Sequence, residues 1–341
     1  MSCDHCGNTE AVSPADARSI REMDFDAALQ DGGAELLEME ETRVTNCPNC
    51  AAQVEFDAEI HSKDCPFCAT PVVVDTGLHR QIKPHAVLPF ELDESRARVA
   101  MTDWLGQLWF APGGLQQYAR KGRKLSGIYV PYWTYDAQTQ TSYIGERGTI
   151  YYETRTVRRN GKTMQQRVAR TRWRKASGRV ARAFDDVLVL ASLSLPKSFT
   201  DAIAPWNLSE LTPYNPEYLA GFRAEGYRIV LPDGFTEARA YMDRMISRDI
   251  RFDIGGDKQR IHRADTDIDG ITFKHVLLPI WMAAYKYRGK TYRFVVNGQT
   301  GAVKGERPYS VIKIALAVLA LAVIAGAVGY FMAMNDDTML R

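Results

Sequence analysis

Six cysteines fall into three Cys-x-x-Cys pairs: Cys3/Cys6, Cys47/Cys50 and Cys65/Cys68. Two thiolates two residues apart grip one ion from a tight knuckle. Two knuckles complete a tetrahedral site of four thiolates, a ligand set that suits structural zinc and leaves no open position for a substrate. Cys47-Pro-Asn-Cys50 and Cys65-Pro-Phe-Cys68 are separated by 14 residues, Ala51 to Asp64. Between them Gln53-Val54-Glu55-Phe56 alternates as a short strand does, and Asp57 turns the chain, which is the grammar of a zinc ribbon. Zinc here would also drive folding, since so short a segment has little core of its own. The rival reading, a thioredoxin-like redox pair, lacks the strand–helix–strand pattern it needs. Cys3-Asp4-His5-Cys6 is a third knuckle with no partner upstream. Three readings stay open: the natural chain starts upstream of Met1 and contains the missing knuckle; His5 or His61 completes a mixed site; or the pair is a relic or binds metal between chains.

Other chemistries fail on spacing. Gly161-Lys162-Thr163 has the tail of a phosphate loop, but Thr156 stands where the first glycine must be; Gly289-Lys290-Thr291 fails likewise at Ala284. Each sits between strand-like runs and reads as a hairpin turn. No Gly-x-Gly-x-x-Gly and no nucleophile elbow occur, and His5, His61, His79, His85, His262 and His275 form no pair at helical spacing. Asp265, Asp267 and Asp269 alternate and read as an exposed acidic turn before Gly270, with weak cation binding as the other reading. No residue is assigned a catalytic role, and a non-enzymatic protein is expected.

The element that must position the rest is one apolar run. Ile314 to Met334 holds 21 residues and no charge. As a helix it is about 31 Å long, matching a hydrocarbon core of roughly 30 Å, and inside lipid a helix is the single-segment solution that satisfies its own backbone. Lys304, Arg307 and Lys313 precede the run, and Asn335, Asp336 and Asp337 follow it. Positive charge stays on the cytoplasmic side, so the large N-terminal head is expected in the cytosol and the helix in the inner membrane. Ala322, Ala325, Gly326 and Gly329 form two small-xxx-small pairs, which permit close approach of a second helix and equally describe an alanine-rich anchor without a partner.

Outside that run, hydrophobic content of 45% and charged content of 25% describe an ordinary globular chain and exclude a disordered one, and a net charge of +2 does not by itself argue for nucleic acid. The fold class expected is α+β: a zinc-ribbon region over residues 1–75, an α+β unit over 80–200, a linker and second α+β unit over 201–310, and a transmembrane helix over 314–334. Ser13 to Glu41 is an acidic spacer, opening on a Ser13-Pro14 helix start. The two units read as an internal duplication, each a helix packed on an antiparallel sheet. Val87-Leu88-Pro89 matches Val230-Leu231-Pro232, and Val130-Pro131-Tyr132-Trp133 matches Leu278-Pro279-Ile280-Trp281, at offsets of 143 and 148. Asn160-Gly161 is a strong hairpin cue. Thr154 to Phe184 carries eleven basic residues and no acidic one, with Trp173 among them. Such a ribbon suits anionic lipid, nucleic acid or an acidic protein partner, or is a solvated hairpin. Pro205-Trp206 and Pro213 to Gly221 read as an ordered linker packing its rings onto both units.

The segments CDHCGN, CPNC, CPFC, IKPHAVLPF, WLGQLWFAP, GIYVPYWTYDA, YIGERG, FDDVLVLAS and PWNLSELTPYNPEYLAGF span nearly all of the head. On these the chain resembles bacterial membrane-anchored zinc-ribbon proteins labelled primosomal protein N′ (replication factor Y)-like or helicase-like. The resemblance implies two zinc ribbons, a body and a terminal membrane helix. It makes Cys3 and Cys6 the second knuckle of a first ribbon whose other knuckle this chain lacks, so metal at that pair is in doubt. It also implies association with SPFH-domain and phage-shock-type membrane proteins, hence a scaffold in a membrane assembly. The helicase label rests on the cysteine pairs, since no motor motif exists here.

Overall fold

The computed structural model describes residues 20–30, 38–47, 53–55, 62–65, 70–73, 78–112, 125–159, 162–287 and 290–338. The strands, in chain order, are β1 (Met23–Asp24), β2 (Met39–Asn46), β3 (Gln53–Glu55), β4 (Ser62–Asp64), β5 (Pro71–Val73), β6 (Leu78–Ile82), β7 (Ala86–Val87), β8 (Ser126–Arg159), β9 (Lys162–Leu190), β10 (Thr212–Pro213), β11 (Arg223–Ala224), β12 (Lys258–Tyr287), β13 (Lys290–Asn297) and β14 (Val303–Gly305). The helices are α1 (Phe25–Leu29), α2 (Glu94–Gly106), α3 (Lys197–Thr200), α4 (Leu231–Ile254) and α5 (Val311–Thr338).

Local sequence explains the helix ends. Asp93 caps α2 by accepting a hydrogen bond from the Arg96 N–H at 2.8 Å. Its apolar stripe, Ala97, Met101 and Leu105, recurs every fourth residue. Pro232 sits in the first turn of α4, where a missing N–H costs nothing. Ala238, Met242, Ile246, Ile250 and Ile254 form the buried stripe of α4, and Gly255 ends it with φ of 66°.

Among the described residues a nine-stranded sheet holds the body together. Its centre runs β9–β8–β12–β13, all antiparallel. The arrangement is related by an approximate two-fold axis through the Val130↔Leu278 pair, so that Pro131 faces Leu277 and Pro279 faces Tyr129. Short parallel strands obey the same relation. β7 adds to β12 at Val276 and Leu277, and β11 adds to β8 at Ile128 and Tyr129. Each helix lies over the hairpin of the other half: α2 packs on Trp281, Ala283 and Phe294, and α4 packs on Trp133, Tyr135 and Val189. The Trp133 indole donates to the Ile229 carbonyl at 2.8 Å, and the Trp281 indole donates to the Leu92 carbonyl at 2.8 Å. Both acceptors stand one residue before a helix cap. Tyr227 lies 5.1 Å from the Trp133 ring, and Phe90 lies 5.0 Å from the Trp281 ring.

This geometry revises the sequence reading at two points. The stretches 80–200 and 201–310 share one sheet, and each helix covers the other stretch's hairpin instead of its own. The Val-Leu-Pro match does not correspond in space: Val87 ends a strand, whereas Leu231 and Pro232 open α4. The two Pro-x-Trp stretches lie side by side, paired in the β8–β12 ladder.

Both faces of the centre are covered. Trp133, Tyr135, Phe273 and Trp281 lie on the face that carries α2 and α4, while Ile128, Val130, Tyr132, Val276, Leu278 and Ile280 point the other way. Gly234 lets α4 start hard against the sheet, since a Cβ there would strike Trp133 and the Tyr135 hydroxyl. The Tyr135 hydroxyl donates to the Leu231 carbonyl at 2.7 Å, clamping the same turn.

His275 lies wholly within this core. Its Nδ1 meets the Ile82 carbonyl at 2.9 Å, so that nitrogen carries the proton and the ring is neutral. Its backbone N–H donates to His85 Nδ1 at 2.9 Å. Burial, with the nearby His85 adding to it, pushes the pKa of His275 down to about 3, and burial lowers that of His85 as well.

Two outcomes follow. Trp133→Phe and Trp281→Phe each strand a carbonyl, so each is expected to lose about 1–3 kcal/mol in denaturant unfolding, with losses that add. The unfolded chain protonates His275 near its ordinary value, 6.5, but the folded chain does so only near 3. The His275 contribution to stability is therefore full above pH 6.5 and lost as pH falls through that window. Unfolding midpoints between pH 7 and pH 4 should fall for the wild type, and less steeply for His275→Gln.

Candidate metal centre and basic arm

Cys47 and Cys65 each directly follow a paired strand, β2 and β4. β2 and β3 pair with Asn46 opposite Gln53, bracketing Cys47. β4 and β5 pair with Asp64 opposite Pro71, bracketing Cys65, whose N–H donates to the Thr70 carbonyl at 2.8 Å. Cys47 and Cys65 are 3% and 2% exposed and belong to one packed cluster, together with Val130 and Leu278 on the sheet face away from α4. Cys50, Cys68, Cys3 and Cys6 lie outside the described residues, as do His5, His61 and the Ser13-Pro14 helix start. β2 also pairs with β6, joining the ribbon region to the chain that enters the body.

The ligating side chains that do converge are acidic. Asp136, Asp185 and Asp186 bring oxygens within 4.8 Å of one another, where the β8–β9 and β8–β12 ladders both slip register. Asp186 adopts φ of 51° and its N–H bonds to the Asp136 carboxylate. A lysine already supplies the positive charge. Lys274, 6% exposed, places its ammonium 2.7 Å from Asp186, 3.1 Å from Glu22 and 3.8 Å from Asp136. Burial pulls its pKa down, but the Asp186, Asp136 and Glu22 carboxylates outweigh that and raise it. Burial raises Asp136 despite the Asp186 N–H and Lys274, whereas contacts with Lys274 overcome burial at Glu22 and lower it. The cluster is a buried ion network that fastens β1 to β12, with Met23 opposite Phe273. Sequence gave no signal for it, because Glu22, Asp136, Asp186 and Lys274 meet only through strand register.

Asp265, Asp267 and Asp269 stand on β12 opposite Ser142, Gln140 and Gln138, exposed on one face. The expected turn is a strand, because Gly270, with φ of 61°, is absorbed in a bulge and pairing resumes at Thr272. The linker rings pack on both halves of the core: Trp206 against the cysteine cluster, and Tyr214 and Tyr218 around Tyr129 and Leu277.

The basic stretch forms a two-stranded arm. β12 stops pairing at Lys258↔Gly148, while β8 and β9 continue to Arg159↔Lys162. Eleven further residues per strand reach about 36 Å at 3.3 Å each. Asn160 and Gly161 lie outside the described residues, but the pairs that flank them are in hairpin register. On the sheet side of the arm, α4 is tied down by Arg182, whose Nε and Nη2 reach Asp249 at 2.6 and 2.7 Å, and Arg147 Nε donates to the last carbonyl of α4. Past that point no helix among the described residues covers the ribbon. Residues 149–172 contain seven Lys or Arg and one acid, Glu153, which pairs with Arg170 at 3.3 Å. Arg172 and Arg167 cover the rings of Tyr151 and Tyr152 at 5.1 and 4.8 Å, and lie on opposite faces by the alternation of the strand. At the root, the Arg260 guanidinium lies 3.9 Å over the Trp173 ring.

α5 leaves from the other end of β8. Met282 pairs with Ser126 there, and β13 pairs with β14, which leads into α5. Lys313 Nζ donates to the Trp109 and Ala111 carbonyls at 3.0 and 2.8 Å, tying the helix start to the loop after α2. Val311–Gly329 has mean hydropathy 2.7 and none of it is buried in the body, so this helix is long and apolar enough to cross a membrane.

Comparison with known proteins finds a distant relative. The uncharacterized protein YdjG of Bacillus subtilis is 25% identical over 228 residues, 66% of this chain. The chain spans 64% of the length of that relative. No family model matches, and no solved structure matches.

Proposed function

We propose that this chain is a membrane-tethered, zinc-binding, non-enzymatic adaptor that presents a cytosolic head to a membrane-associated protein complex. The observation that carries the reading is α5. Leu316, Val318, Leu319, Leu321 and Val323 point around the whole helix and are each more than 60% exposed, an apolar girdle that water does not tolerate and a bilayer does. Lys304, Arg307 and Lys313 at its start and Asp336 and Asp337 near its end favour a cytosolic head in the inner membrane. Cys47, Cys50, Cys65 and Cys68 would hold one zinc ion, which would supply folding energy. A second ion at Cys3 and Cys6 needs further ligands. The approximate two-fold of the sheet favours a body that arose by duplication of one helix–hairpin unit. The partners that fit the resemblance are SPFH-domain and phage-shock-type membrane proteins.

A second reading, a nucleic-acid-binding accessory factor held at the membrane, is favoured by the arm. It points away from the anchored end of β8, and a two-stranded ribbon with arginine on both faces fits a groove lined by phosphates. It predicts duplex binding that weakens steeply with salt and is lost when residues 150–171 are replaced by a two-residue turn. Absence of binding at low salt would end it.

For the adaptor, crosslinking of the tagged chain at native expression, detergent extraction and mass spectrometry are expected to recover a defined membrane protein complex, with about one zinc per chain that Cys47→Ser removes. A chain free of zinc, or recovered with no stable partner, contradicts the proposal.

A further inference from the structure

A cavity of about 620 Å³ opens where the body meets α5. Trp104 comes from the end of α2, Tyr292 from β13 and Lys304 from β14, while Arg307 and Tyr309 come from the segment leading into α5. The charge in this cavity is one-sided. Glu306 also lines it but is engaged by Arg293, whose backbone N–H donates to Oε2 at 3.0 Å and whose guanidinium lies 3.6 Å from Oε1. Among the described residues no carboxylate pairs with Lys304, nor with Arg307, whose guanidinium lies 5.2 Å over the Tyr309 ring. The lining residues Leu108 and Tyr309 lead directly into an exposed apolar rim: Trp109, next to Leu108, is 80% exposed, Tyr309 59%, and Val311 and Ile312, which follow it, 78% and 74%.

We propose that this cavity holds the phosphate-bearing headgroup of an anionic phospholipid. The inference rests on α5 crossing a bilayer, because the cavity then falls at headgroup level, two residues before the helix starts. Lys304 and Arg307 match the phosphate charge. Trp104, Tyr292 and Tyr309 supply the amphipathic rings that settle at a membrane interface. A soluble phosphate ester offers the same anion, but it leaves the exposed rim of Trp109, Val311 and Ile312 in water, whereas acyl chains cover it. Lys313 is held against the Trp109 and Ala111 carbonyls, which fixes the rim to the helix start. Recognition of the lipid would set the depth and tilt of the head on the membrane.

The test uses the full chain in nanodiscs of phosphatidylcholine with phosphatidylglycerol, with retained lipid counted by native mass spectrometry. The wild type is expected to retain phosphatidylglycerol in preference to phosphatidylcholine. Lys304→Gln with Arg307→Gln is expected to enter nanodiscs equally well but bind phosphatidylglycerol about 30-fold more weakly, at roughly 1 kcal/mol per basic residue. Lys304→Arg should keep the preference. Equal retention of both lipids, or an unchanged double variant, overturns the proposal. Binding of glycerol 3-phosphate in pure phosphatidylcholine discs as tight as that of phosphatidylglycerol also overturns it, in favour of a soluble ester. Failure of the wild type to enter nanodiscs overturns the anchor itself, and is seen before any lipid is counted.

Discussion

The antiparallel ladder between β8 and β12 is the constraint on which the body depends. It joins two stretches of chain nearly 150 residues apart in sequence, and everything else hangs from it. The two indoles that cross it do more than fill space. Each satisfies a carbonyl just ahead of a helix of the opposite half, so the placement of α2 and α4 is dictated by the register of β8 on β12. A slip of one residue in β8 would turn Trp133 to the opposite face, and a slip in β12 would turn Trp281, leaving the Ile229 or the Leu92 carbonyl without its donor. The buried Lys274 network sits at the place where that register is interrupted, which keeps the interruption from becoming a slip.

The same ladder separates the functional surfaces. At one end β12 and β13 lead through β14 to α5; at the other β8 and β9 run on alone as the basic arm. Cys47 and Cys65 pack with Leu195, Phe199 and Ile203 on the face that α2 and α4 leave open. The apolar helix, the two buried cysteines and the arm therefore occupy different ends and faces of one sheet. The chain carries a net charge of only +2, so the basicity of the arm is offset by carboxylates placed elsewhere, including those around Lys274 and on β12.

Some of this was legible in the sequence because the signals are local. An unbroken apolar run reports its own length, and Asn160-Gly161 reports a hairpin whose flanks pair as expected, whereas Cys3, Cys6, Cys50 and Cys68 lie outside the described residues. The Pro-x-Trp pair exposed the relation between β8 and β12, because proline and tryptophan are rare enough for a short match to carry information. The helices were harder. Val87-Leu88-Pro89 and Val230-Leu231-Pro232 look alike but do different jobs, and the residues that truly correspond, Leu92 and Ile229, share only bulk. Strands of 34, 29 and 30 residues were not legible, since polar side chains on the exposed face and glycines such as Gly270 break the alternation. The Lys274 network and the His85–His275 contact are set by register between distant strands, which no local pattern encodes.

The central claim is that α5 lies in the bilayer with the head on the cytosolic side. Its most direct measurement is protease protection of the native chain in intact spheroplasts and in inverted membrane vesicles, followed with an antibody against the head. The account expects the head to survive in spheroplasts and to be cleaved in inverted vesicles. Cleavage in intact spheroplasts, or recovery of the whole chain in the supernatant after the membranes are pelleted, would contradict it.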